Sequence, residues 1–274
     1  MRNTLKNLVL STVPPVQRLQ QNRDDLQSRV AALEAENLLL KGDLQRTLAT
    51  PPAALFDFDA YGMKLWDKNL KSLQDPRFVE AYARGAPDYV HIEFRAYVAC
   101  WAASHAAKLP GDFVECGVNE GWLSLTICNY LDFNALGKSF FLLDTYDGIP
   151  SEQISERESA RAALHHYVDC YEATKTRFAA FPNAKLIKGR VPETLLTASI
   201  DRISYLSIDM NIAKPERDAI EFFWPKLATG GVVVLDDYAF SGYDAQHETM
   251  DEFAAKMGVS ILTLPTGQGL LIKQ

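Results

Sequence analysis

From Gly111 onward the chain repeats one pattern: a short apolar run, a turn, and a longer amphipathic stretch before the next run. That alternation restricts the fold to strands laid parallel in one sheet with helices covering its faces. The predicted strands cover 113–116, 140–144, 185–188, 203–208, 232–235, 260–264 and 269–272. Residues 265–268 alone separate the last two, too few for a crossover helix, so those two are expected to pair antiparallel. The expected architecture is an α/β, doubly wound, mostly parallel seven-stranded sheet that closes in a reversed hairpin.

A different periodicity governs the N-terminal stretch. Leu19, Leu26, Leu33 and Leu40 fall on one heptad core position, and Val16, Arg23, Val30, Asn37 and Leu44 on the other. An unbroken leucine seam with one polar Asn is the pattern of a coiled coil, in which Asn fixes register. Arg29 with Glu34, and Glu36 with Lys41, are the opposite charges that face each other across a parallel pair. A surface helix packed on its own domain is the alternative, and Leu38 and Leu39 beside the seam fit it. Pro51-Pro52 ends the helix. We therefore divide the chain into an N-terminal coiled coil over 1–50, a helical cap over 51–109 and the sheet domain over 110–274. Within the cap, helices are predicted over 65–73, 76–83 and 91–108, broken at 85–87.

Composition matters here mainly for what it excludes. A net charge of −7 argues against a nucleic-acid partner, which calls for a basic face. No run approaches the roughly 20 apolar residues of a membrane span, and the run 8–10 is too short for a signal-peptide core, so a cytoplasmic location is expected. Cys100, Cys116, Cys128 and Cys170 form no C-x-x-C pair and read as reduced packing residues.

The first strand runs into Glu115-Cys116-Gly117-Val118-Asn119-Glu120-Gly121, a turn whose glycines let backbone approach a ligand before a helix near Trp122. It lacks the G-x-G-x-x-G spacing of a dinucleotide site. Glu115 suits the cationic end of an amino acid, although two glycines in a strand-to-helix connection also serve shape alone. Asp144 ends the next strand, where open sheets place a carboxylate on ribose hydroxyls; as a turn-capping Asp it would be unremarkable. Asp209 ends a third strand and Asp236-Asp237 a fourth. Three carboxylates at one sheet edge repel one another unless a cation neutralises them, which points to a hard ion such as Mg²⁺; a solvated turn is the alternative for the Asp-Asp pair.

These segments together resemble the macrocin O-methyltransferase family. The resemblance lies in 110–118, the run Asp144-Thr145-Tyr146-Asp147-Gly148-Ile149-Pro150, Lys188-Gly189 with Pro192-Glu193-Thr194-Leu195, and Asp209 through Asp236-Asp237-Tyr238. It implies a class I, Rossmann-like methyltransferase fold, S-adenosylmethionine as cofactor, a divalent metal, and a sugar hydroxyl on a small molecule or glycan as acceptor. By position it implies that Glu115, Gly117, Asn119 and Gly121 line the methionine end, that Asp144 holds the ribose and that Gly189-Arg190 lie near adenine. Asp209, Asp236 and Asp237 become metal ligands.

Two departures stand out: Trp122 where the family has a second glycine, and Asp209-Met210-Asn211 where it tends to have Asp-Gly-Asp. With Asn211 unable to take a proton, Asp209 or His247 is expected to act as base; His247 equally reads as an exposed helix residue. His165-His166-Tyr167 are expected on a helix surface. Tyr61, Trp66 and Tyr89 read as core aromatics or as sugar-stacking faces. Two rival functions remain at this level, a nicotinamide-dependent oxidoreductase and a catalytically silent subunit.

Overall fold

The computed structural model describes residues 19, 21–30, 32–33, 37, 58–60, 62–65, 67–197 and 199–274. The chain divides into two units, 1–57 with 65–67, and 58–64 with 68–274. In the first, residues 21–30 are helical, and the seam residues Leu19, Leu26, Val30 and Leu33 are each more than half exposed. Val16, Leu40 and Leu44 of the seam, with Glu34, Glu36 and Lys41, lie outside the described residues.

The second unit begins with a two-stranded sheet of β1 (Phe58–Ala60) and β2 (Met63–Leu65). A helix over 65–73 is therefore not formed: β2 takes the start of that segment, Gly62 and Asp67 have φ of 74° and 51°, and residues 71–74 are turns. Helices α1 (Pro76–Gly85) and α2 (Glu93–Ala106) follow where expected. Asp75 caps α1 by accepting from the Arg77 N–H at 3.0 Å, and Pro76 occupies the first turn, where its missing N–H costs nothing.

The main sheet has the order β5-β4-β3-β6-β7-β9-β8. Its strands are β3 (Asp112–Cys116), β4 (Phe140–Asp144), β5 (Ala184–Lys188), β6 (Ile203–Ile208), β7 (Leu227–Leu235), β8 (Leu262–Thr263) and β9 (Gly269–Ile272). The first five run parallel; β9 is antiparallel to both β7 and β8, the reversed hairpin the short connection demanded. All of β6 is buried, which is why it reads as a continuous apolar run.

Alternation along β3 splits the core between the faces. Phe113 packs with α1, α2 and α3 (Trp122–Leu131), while Val114 and Cys116 pack with α6 (Ala213–Phe223) and α7 (Asp244–Met257). Between them come the short helices α4 (Ser159–Ala162) and α5 (Tyr171–Arg177). The segment expected as a helical cap over 51–109 thus contributes α1 and α2 to this core. Ala96, Ala99, Cys100, Ala102, Ala103 and Ala106 of α2 are buried in the same core as Phe113, so these helices are a layer of the sheet domain. All four cysteines are buried and free. Among the described residues no helix is long and apolar enough to cross a membrane.

Candidate active site

Parallel pairing brings the strand ends level. Leu143, Cys116, Ile208 and Leu235 are register partners, so the residues that follow them, Asp144, Gly117, Asp209 and Asp236, form one row along the C-terminal edge. The row straddles β3, where the strand order reverses and open sheets bind ligands. It floors a cavity of about 360 Å³, a size suited to a small molecule.

Glu115, Gly117, Asn119, Asp144, Gly189 and Arg190 all line this cavity. Gly117 has φ 88°, and a Cβ there would meet the Asp209 carbonyl oxygen at 1.9 Å; close approach of β3 to β6 requires glycine at this position. Gly121 does not line the cavity. Its φ of 75° turns the chain into α3, and a Cβ would strike the Phe178 ring at 2.4 Å. Trp122 does line the cavity, and its indole Nε1 is buried without a hydrogen-bond partner among the described residues.

Asp144 is engaged with its own turn. One oxygen accepts from the Val118 and Asn119 N–H groups at 2.5 and 2.8 Å, the other from the Tyr146 N–H at 2.5 Å. These bonds pin the glycine turn and leave about one lone-pair site for a ligand hydroxyl. Glu115 is buried beside it, accepts from the Ser124 hydroxyl, and has its carboxyl pushed well above the usual range by burial and then by the Asp209 charge.

Asp209, Asp236 and Asp237 each offer an oxygen within 4.8 Å of the others. They are not equivalent. Asp236 is fully buried, pairs with the Arg95 guanidinium from α2 and accepts from Gln268 Nε2 at 2.7 Å. Arg95 Nη2 lies 3.8 Å from Asp237 Oδ1. Asp209 has no ion pair among the described residues; burial first, and the Asp237 charge second, raise its pKa to about 8, with the Arg95 charge opposing. Asp237 is raised by burial as well, with Arg95 opposing. Glu216 of α6 accepts from the Met210 N–H at 3.2 Å and holds the turn after Asp209.

Sequence reasoning missed Arg95, and its signal was present: it is the one Arg or Lys in the largely apolar helix 93–106. Three carboxylate oxygens this close are a donor set that could hold a hard cation.

The structure does not bring His247 to the cavity. Its ring stacks on Tyr238 at 4.3 Å, Nδ1 donates to the Tyr238 carbonyl at 2.9 Å, and Nε2 faces Asp251 at 3.4 Å. The surface expectation holds for His166 and is corrected for its two neighbours. His166 is exposed, but His165 and Tyr167 line the cavity with Arg161, Asn211, Phe240 and Tyr243. Tyr61 and Trp66 lie outside the described residues, and Tyr89 is exposed away from the cavity.

Comparison with known proteins agrees with the geometry. The profile of the macrocin-O-methyltransferase family matches residues 94–261. The chain is 25% identical over 165 residues to the 8-demethyl-8-(2,3-dimethoxy-alpha-L-rhamnosyl)-tetracenomycin-C 4'-O-methyltransferase of Streptomyces olivaceus, covering 57% of this chain and 62% of that protein. It is 26% identical over 165 residues to the demethyldecarbamoylnovobiocin O-methyltransferase of Streptomyces niveus, covering 56% and 62%. The match thus spans less than two thirds of either relative. Among solved structures, the O-methyltransferase NovP superposes with a TM-score of 0.56 at 21% identity, over 66% of this chain and 79% of that one. The calicheamicin methyltransferase gives 0.52 at 16%, over 81% and 97%. At these identities the structural likeness concerns the fold.

Proposed function

The chain belongs to the macrocin-O-methyltransferase family, and from that premise we propose that it moves the methyl group of S-adenosylmethionine to a sugar hydroxyl of a glycosylated small molecule. The observation that carries this reading is the single row of strand ends, which sets the glycine turn and Asp144 beside Asp209 and Asp237 in one cavity. Relatives named for O-methylation of a rhamnosyl tetracenomycin and of a novobiocin precursor support the acceptor class.

On this reading Glu115, Gly117 and Asn119 hold the methionine end, Asp144 offers its remaining lone pair to the ribose, and Gly189 and Arg190 flank the adenine. Gly121 acts through the turn. Asp209 accepts the hydroxyl proton as the oxygen–methyl bond forms and the methyl–sulfur bond breaks, giving a methyl ether and S-adenosylhomocysteine. Asp209 and Asp237, with the oxygen of Asp236 shared with Arg95, would hold Mg²⁺ or a similar ion, which supplies polarisation of adjacent sugar oxygens. The cavity wall fixes the acceptor in line with the sulfonium, and that positioning supplies much of the acceleration.

Calorimetric titration with S-adenosylhomocysteine tests the cofactor half. Wild type binds, and Asp144→Ala binds at least tenfold more weakly; equal affinity removes Asp144 from the site.

We also read the N-terminal helix as a self-association element. Its exposed leucines are apolar surface whose burial is worth about 1.5–3 kcal/mol per side chain once a second copy covers it. A subunit count by light scattering that stays the same without residues 1–50 refutes this.

A further inference from the structure

Asn211 stands where the resemblance led to an aspartate, and its neighbours give it a task that a carboxylate would reverse. It follows Asp209 by two residues, with φ 63°, in the cavity wall. Its Oδ1 accepts from the Tyr243 hydroxyl at 2.8 Å. Its Nδ2 lies 3.3 Å from the Tyr167 hydroxyl and 3.5 Å from Asp209 Oδ1. Turning the amide over would set its oxygen against the Asp209 carboxylate, so the hydrogen-bond pattern selects this orientation.

A phenol has one proton to give. Tyr243 spends its proton on Asn211, so its oxygen accepts from His165 Nε2, 3.0 Å away. Tyr167 receives the Asn211 N–H on its oxygen, and among the described residues nothing accepts the Tyr167 proton. The donors therefore run in one direction, from His165 through Tyr243 and Asn211 to Tyr167, and end on an unspent O–H. The ring of Tyr167 is held by a parallel stack on His165, 5.2 Å between centroids and 5° between planes. Tyr167 lines the same cavity as Asp209, Asp237 and Asp144.

Resting on the O-methyl-transfer reading, we propose that Tyr167 grips the acceptor by donating to the oxygen next to the hydroxyl that is methylated, and that Asn211 is the positioning residue that keeps this proton aimed into the cavity. The acceptor class follows: the neighbouring position carries a hydroxyl, ether or carbonyl oxygen, not an ammonium group, which offers no lone pair. An aspartate at 211 would accept from both tyrosines and turn the Tyr167 proton out of the cavity. Asn211→Asp, although it moves toward the family's usual residue, is therefore a loss.

The test uses the full chain with Mg²⁺, S-adenosylmethionine and p-nitrophenyl α-L-rhamnopyranoside as the diol probe. It follows S-adenosylhomocysteine release and, separately, S-adenosylhomocysteine affinity by calorimetry. Tyr167→Phe and Asn211→Asp should each raise the KM for the rhamnoside by about tenfold, the usual worth of one uncharged hydrogen bond, with cofactor affinity unchanged. A KM within twofold of wild type in Tyr167→Phe, a higher kcat/KM in Asn211→Asp, or cofactor binding lost in Tyr167→Phe overturns the inference. Wild type that binds S-adenosylhomocysteine but neither binds nor methylates the rhamnoside sinks the sugar reading and this inference together; wild type that binds no S-adenosylhomocysteine sinks the methyltransferase reading itself. If Asn211→Asp misfolds, Tyr167→Phe, which removes only the hydroxyl, decides alone.

Discussion

The two ends of the cavity floor are both built from aspartates that close a strand, and they are satisfied in opposite ways. At β4, Asp144 collects three backbone N–H groups from chain within a few residues of the strand ends. At β6 and β7, Asp236 is satisfied by two side chains remote in sequence, Arg95 and Gln268, while Asp209 and Asp237 share a buried space with too few donors. A carboxylate fed by backbone shapes a loop. One deprived of partners is available to a cation or a proton, so the second end is where chemistry is expected.

Four changes sharpen this contrast. The largest effect is expected at Asp237, because Asp237→Asn removes a charge from the deprived pair and keeps its shape. Turnover should fall by more than the ~10²–10⁴-fold of losing a lone general base, with S-adenosylhomocysteine binding retained. A fall below tenfold in single-turnover assays would make the pair structural.

Next is Arg95→Met, which strands Asp236 as a buried, uncompensated charge. Urea denaturation should record a loss of about 3–5 kcal/mol, and adding Asp236→Leu should recover part of it. No loss would mean that Gln268 alone satisfies Asp236. Asp144→Ala should cost less, about 1–3 kcal/mol, because it frees neutral backbone N–H groups and leaves no uncompensated buried charge. Equal losses for the Arg95 and Asp144 variants would erase the distinction between the two ends. The smallest effect on domain stability belongs to removal of residues 1–50, within about 0.5 kcal/mol, since the described seam leucines, Leu19, Leu26 and Leu33, are mostly exposed. A larger change in the urea midpoint would show that the helix packs on its own domain.

Much of the sheet was legible. β6 and β9 lie on their predicted spans, and the four residues before β9 announced the antiparallel closure. The alignment of Asp144, Asp209 and Asp236 was legible too, because parallel strands of known ends must finish at one edge. Of the two readings of His247, the helix-surface one fits the structure; its place shortly after β7 gives separation along the chain and not direction, and α7 aims it at Tyr238. His165 and Tyr167 were misread for the converse reason: a long connection folds back over the sheet edge, and no local pattern records which of its side chains point inward.

By itself, then, the sequence determined what repeats and what is local: strand spans from apolar runs, the turn at Gly117 from missing side chains, the leucine seam from its heptads. The tertiary structure decided who satisfies whom. Arg95 meets Asp236 across 141 positions of chain, and Tyr243 meets Asn211 across 32. Such pairings carry no periodicity, because a buried charge or amide takes whichever donor the packed helices deliver, and that is fixed only when the layers close.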